Sequence, residues 1–193
     1  LTLVDYNNYK QNPNEVFKNS LLAIENLDTK TQKIPIYFNL LILAENDGSY
    51  ADAIKYINQI EYCLDNKKIN NDLLDKWIKY NTYLGEYTLI SEKLNDYIQT
   101  EINEKTKVSY FLRLVENYMN SQDYSKARNE LNDLLQQYKD NRSLKSEVSQ
   151  IYYLLGVIEL ESYKDFDMSR FFFQESIDIS RVSEFGKKSD SKI

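Results

Sequence analysis

Six columns of apolar residues recur along this chain at a constant step of 37. Tyr50, Tyr87 and Tyr124 are spaced by it, as are Tyr37, Leu74 and Phe111. So are Leu40, Trp77 and Leu114; Ala53, Ile90 and Ala127; Ile57, Leu94 and Leu131; and Ile60, Tyr97 and Leu134. A repeat of this length is one supersecondary unit that cannot bury its apolar face alone, so neighbouring copies must stack. Inside the repeat the spacing is helical. Phe111, Leu114, Val115 and Tyr118 lie three and four apart and share one face. The polar run Asn120, Ser121, Gln122, Asp123 suits a tight turn. Tyr124, Ala127, Leu131 and Leu134 then restart the stripe. Ala127 is small enough to let two antiparallel helices approach closely.

The step lays out the rest of the chain. One step back from Tyr50 lies Pro13, with Val16, Ser20 and Ala23 at the matching positions. After Leu134 the register slips. Tyr152, Leu155 and Gly156 read as a first helix, and Asp165, Phe166, Ser169, Phe173, Ser176 and Ile179 as a second. Tyr124 to Phe166 is 42, five more than 37, and the polar stretch 140–143 is the expected site of the insertion. The expectation is ten helices in five antiparallel pairs: 1–9 and 13–27, 31–46 and 50–65, 70–84 and 86–100, 104–120 and 124–138, 144–162 and 166–183. Asp47-Gly48 and Gly85 mark two turns, and 65–72 a loop. Pro35 is expected in a first helical turn, where its missing N–H costs nothing. Residues 1–184 read as one helical repeat domain and 185–193 as a flexible tail.

Composition narrows the chemistry. Only 4 Gly and 2 Pro argue against an all-β fold with its many tight turns. A net charge of −6 argues against nucleic acid and anionic membranes, both of which need a concentrated basic surface. No stretch of about 18 apolar residues is present to span a bilayer. Cys63 is the single cysteine, which rules out an internal disulfide and fits a reducing compartment. No signal peptide is visible, and a cytoplasmic location is expected. The chain opens on Leu1 inside a helical pattern, so it is expected to be a piece of something longer.

Enzyme chemistry has little to stand on. With no histidine, Ser-His, Cys-His and imidazole–zinc arrangements are absent. Without one to activate it, Cys63 reads as a small core residue. Glu159 and Glu161 are two apart on a helix and point to different sides. The expectation is no catalytic residue, no cofactor and no metal. Of the 17 Tyr, positions 37, 50, 87, 97, 118, 124 and 152 fall in the apolar columns and read as core rather than as a base-stacking platform.

An aromatic–leucine–tyrosine first helix followed by an alanine-bearing second helix resembles the tetratricopeptide repeat. The small residue after the first-helix leucine is replaced by Leu41, Ile78 and Val115 and kept at Gly156; Ile90 replaces the second-helix alanine in one unit. The step of 37 exceeds that family's usual 34 or so. The resemblance implies an all-α, right-handed superhelical solenoid of about five antiparallel helix pairs, with first helices lining an inner groove. It implies a non-catalytic module that binds a protein or peptide. By spacing, the groove positions are Phe38, Ile42 and Asn46; Asp75, Lys79 and Tyr83; Leu112, Glu116 and Asn120; and Tyr153, Val157 and Glu161. Family members that grip chaperone tails carry basic and Asn side chains there; only Lys79 has the matching charge, so that ligand is not expected. The chain also resembles the peptide-pheromone receptors of low-GC bacteria, which implies a peptide-sensing domain of a helix-turn-helix regulator. A third expectation is a homo-oligomerising scaffold. Phe171, Phe172 and Phe173 stand in a row, and not all three can face the preceding helix. Phe171 and Phe172 are therefore expected at a terminal interface, covered by a following segment, a partner, or a second copy in a homodimer.

Overall fold

A computed structural model describes residues 13–65 and 68–192. The helices among them are α1 Pro13–Glu25, α2 Lys30–Asn46, α3 Tyr50–Cys63, α4 Asn71–Leu84, α5 Tyr87–Thr100, α6 Glu104–Asn120, α7 Tyr124–Tyr138, α8 Lys145–Ile158, α9 Phe166–Ser180 and α10 Glu184–Asp190. A 3-10 turn, Arg142–Leu144, leads into α8, and a π turn, Glu159–Tyr163, follows it. No strand occurs among the described residues. The helix expected at 1–9 lies outside them. The chain divides into two compact units, one ending at Glu86 and the other beginning at Tyr87.

In the first unit each helix packs on its neighbours in sequence, α1 on α2, α2 on α3 and α3 on α4. The starts are fixed by caps. Thr29 and Gln32 form a reciprocal capping box on α2, and the Asn70 side chain accepts from the Leu73 amide at 2.9 Å. Leu40, Leu41, Ala53, Ile57, Ile60, Leu74 and Trp77 form the buried core, as their columns require. Pro35 is not in a first turn. α2 starts at Lys30, capped by Thr29, so Pro35 is its sixth residue; counted from the expected start at 31 it would be the fifth, also past the first turn. The proline takes a bond from the Thr31 carbonyl, and both residues are exposed, so water can replace it.

The second unit repeats the sequential pattern from α5 to α10 and adds contacts between α6 and α8 and between α8 and α10. Asn103, Asp123, Asp165 and Ser183 cap α6, α7, α9 and α10 through their side chains. The core joins Val108, Val115, Ala127, Leu131, Leu134, Val148, Ile151, Leu155 and Ile158. The expected tail is not structureless: Glu184–Asp190 is helical. Its Ser183 cap holds the Gly186 amide at 3.0 Å, and Gly186 and Ser189 are buried against the rest of the unit.

The five-residue slip has two sources. Phe111, Leu114 and Val115 map onto Tyr152, Leu155 and Gly156 at a step of 41, whereas Tyr124, Ala127 and Leu131 map onto Phe166, Ser169 and Phe173 at 42. Four residues therefore enter before α8, where 139–144 holds the 3-10 turn. The fifth enters after Gly156. The π turn Glu159–Tyr163 absorbs it, because an i→i+5 turn holds one residue more than an α turn.

The backbone carries the period as well. Gly48 (φ 69°), Gly85 (φ 76°), Gln122 (φ 63°) and Lys164 (φ 58°) are left-handed, and their steps are 37, 37 and 42. Each ends a first helix and turns the chain into the second. Glycine enters this region freely, whereas other L-residues are strained there. Gln122→Gly and Lys164→Gly are each expected to raise stability by about 0.5–1 kcal/mol in urea denaturation.

Candidate binding face

In the first unit Glu45 ties α2 to α4. Its carboxylate accepts from Lys76 Nζ at 2.6 and 2.8 Å and from the Tyr80 hydroxyl at 2.6 Å. Burial and this hydrogen bond push the Tyr80 phenol well above its usual range, so it stays a donor. Tyr80 stacks on Tyr50 with ring centres 5.2 Å apart and planes 15° apart. Tyr50 in turn meets Tyr83 at 4.9 Å. Tyr83 is thus held on one side by an aromatic neighbour while remaining 57% exposed. Lys79 places its ammonium 5.8 Å from the Tyr83 ring.

The expected groove positions on these two helices are mostly open. Ile42 and Asn46 are exposed one turn apart on α2, and Asp75, Lys79 and Tyr83 are exposed at successive turns of α4. Phe38 is half-buried. The unit therefore presents an amphipathic face: an isoleucine, an amide, a carboxylate, an ammonium and an oriented phenol. Lys76 and Glu45 lie between these positions and neutralise one another.

In the second unit α6 and α8 are joined in the same manner. Gln150 Nε2 donates to Glu116 at 3.4 Å, and Lys105 pairs with Glu147 at 3.4 Å. Glu116 and Asn120 are exposed. Leu112 is not on this face. It is 4% exposed and belongs to the core with Val108 and Val115. The reason is that α6 packs against α5, α7 and α8, which widens its buried arc to include Tyr110, Leu112 and Asn117. Tyr153 is half-buried, its ring 5.8 Å from Phe173 and 5.6 Å from Phe185 of α10. Val157 is half-buried and Glu161 exposed.

The phenylalanine row splits as helix geometry demands. Phe173 is fully buried against α8, and Phe172 is 8% exposed beside Tyr152 at 6.3 Å. Phe172 is therefore core, not a terminal interface. Phe171 is 51% exposed.

Spacing alone misses the buried Glu159 and its partner. Glu159 is 1% exposed and its Oε1 lies 2.7 Å from Arg128 on α7. The Tyr163 ring stands 4.9 Å from the same guanidinium. Glu161, its sequence neighbour by two, points to solvent. The π turn begins at Glu159 and carries Tyr163, so the extra residue and the pair occupy one place. Cys63 is buried, and burial pushes its thiol up, away from the reactive thiolate.

No helix among the described residues is long and apolar enough to cross a membrane. No protein-family model matches the chain, and no curated protein matches it significantly.

Proposed function

We propose that this chain is a non-catalytic module, built as a tetratricopeptide-like solenoid, that binds a peptide or an extended protein segment along its first helices. The observation that carries the reading is the Glu45 tie. It sets α2 beside α4 and leaves Ile42, Asn46, Lys79 and Tyr83 exposed around an oriented aromatic cluster. An aromatic side chain already fixed by packing loses little freedom on binding, so its contact area converts efficiently into affinity. Lys79 and Asn46 supply hydrogen bonds for a peptide backbone or an acidic side chain. The test is thermal shift against a peptide library. Bound peptides are expected to raise the Tm, and Tyr83→Ala is expected to weaken them about tenfold or more, as loss of a central aromatic anchor does. No stabilisation by any peptide would sink the reading.

A homo-oligomerising scaffold is the second reading, favoured by Phe171 and Phe166, both exposed on α9. Phe171→Glu tests it, with an unchanged Tm as the control for the contact its ring makes with Phe172 at 5.4 Å. A scaffold is expected to lose its dimer in light scattering; an unchanged mass removes this reading.

A further inference from the structure

The first-helix face of the second unit is partly covered by its own chain. Helix α10 packs on α8 and α9. Its Phe185 ring meets Tyr153 at 5.6 Å, and Lys188 sits 5.0 Å from the Phe185 ring. Lys188 pairs with Glu184 on its own helix at 2.6 Å, and the nearby Tyr153 and Glu116 add to the pull that Glu184 exerts on its ammonium. Tyr153 and Glu116 are two of the positions of this face expected to contact a ligand, beside Asn120, Val157 and Glu161. The segment that reaches them presents an aromatic ring and, three residues on, a cation.

We propose that this face is a docking site for a short helical peptide bearing an aromatic residue followed three positions later by Lys or Arg, and that α10 is its resident intramolecular occupant. The inference rests on the reading that first-helix faces here bind peptides. An incoming peptide of this pattern would displace α10.

Two features make α10 displaceable rather than simply part of the core. It has 7 residues, too few to be helical without the surface beneath it. Its fit is also imperfect: the Ser189 hydroxyl is fully buried with no hydrogen-bond partner. A competing peptide without that hydroxyl avoids the desolvation cost. The advantage α10 holds is tethering, since a three-residue link from Ser180 keeps it at an effective concentration on the order of millimolar.

Gly186 offers a lever outside the face. A Cβ there would stand 2.1 Å from the Ser180 carbonyl oxygen, a backbone atom that cannot turn aside. Gly186→Val should therefore unseat α10 and leave Tyr153 and Glu116 intact. The probe is a fluorescently labelled synthetic peptide spanning Ser183 to Lys192, followed by anisotropy. Half-saturation on Gly186→Val is expected at a peptide concentration about tenfold or more below that on the native chain. Adding Tyr153→Ala should abolish it. Phe185→Ala keeps the backbone and should shift binding in the same direction, so the test survives a Gly186→Val protein that folds poorly. Equal probe binding to the native chain and to Phe185→Ala would overturn the proposal. If library peptides still bind through Tyr83 while the probe ignores both variants, this inference fails and the function proposed above stands.

Discussion

Arg128→Ala is expected to lower the unfolding free energy by about 3 kcal/mol in urea denaturation. Glu159 is the reason. Its carboxylate is buried, and the Arg128 guanidinium at 2.7 Å is the charge that balances it. Removing Arg128 strands an anion in a medium that solvates it poorly. The low end of the range for buried pairs applies because the Arg128 side chain is 39% exposed, so water can partly enter the space it vacates. Arg128→Lys should fall between, since an ammonium keeps the charge but loses the planar group that lies 4.9 Å from the Tyr163 ring centre. Replacing both partners at once, Arg128→Met with Glu159→Leu, should cost far less than the single change, because no charge is left unpaired. A cost below about 1 kcal/mol for Arg128→Ala would show that the pair behaves like an exposed one.

Phe173→Ala is expected to cost about 3–5 kcal/mol, the usual range for emptying a buried aromatic site. Phe173 is wedged against Gly156: a Cβ on that glycine would meet the ring at 2.6 Å. The close approach of α8 and α9 depends on small residues on both sides. Ser169 Oγ donates to the Gly156 carbonyl at 2.9 Å, and Ser176 Oγ donates to the Ser149 carbonyl at 2.7 Å. Each serine bonds across to the facing helix, so these hydroxyls are satisfied while taking little room. Gly156→Ala alone should destabilise by about 1–3 kcal/mol through overpacking. In a Phe173→Leu background the same change should become neutral or favourable. The smaller side chain relieves the clash, and alanine is the better helix former by about 1 kcal/mol. A penalty for Gly156→Ala that persists in both backgrounds would contradict this account of the contact.

The helices were legible because their signal is periodic and local. The columns through Leu40, Trp77 and Leu114 repeat at 37 and are all buried. The turn at Gly85 is written in its glycine, but the same left-handed turn at Gln122 and Lys164 carries no glycine, and only the step of 37 or 42 marks it. Leu112 shows where spacing stops being informative. A stripe pattern says which side of a helix faces its own hairpin, not how many further helices surround it, and α6 has three. Glu159 was hidden for a related reason. Its burial follows from an arginine 31 positions earlier and from one extra residue taken up in a π turn, and neither leaves a trace in local periodicity. Pro35 lies past the first turn whether α2 is counted from 31 or from its capped start at Lys30, so an expectation based on what proline prefers gives way to the apolar stripe that carries the helix through it.

The candidate face was legible only as a list of positions. Ile42, Asn46, Lys79 and Tyr83 are where the repeat puts them and are exposed. What draws their two helices together is Glu45, bound to Lys76 and Tyr80 from another helix, and no motif predicts that tie.

The central claim, that first-helix faces are the binding surface, is tested most directly by amide chemical shifts during titration with a peptide that stabilises the protein. The account predicts that the largest shifts fall on Ile42, Asn46, Lys79 and Tyr83 and vanish in Tyr83→Ala. Shifts confined to α9 around Phe166 and Phe171, with these four residues unmoved, would contradict it.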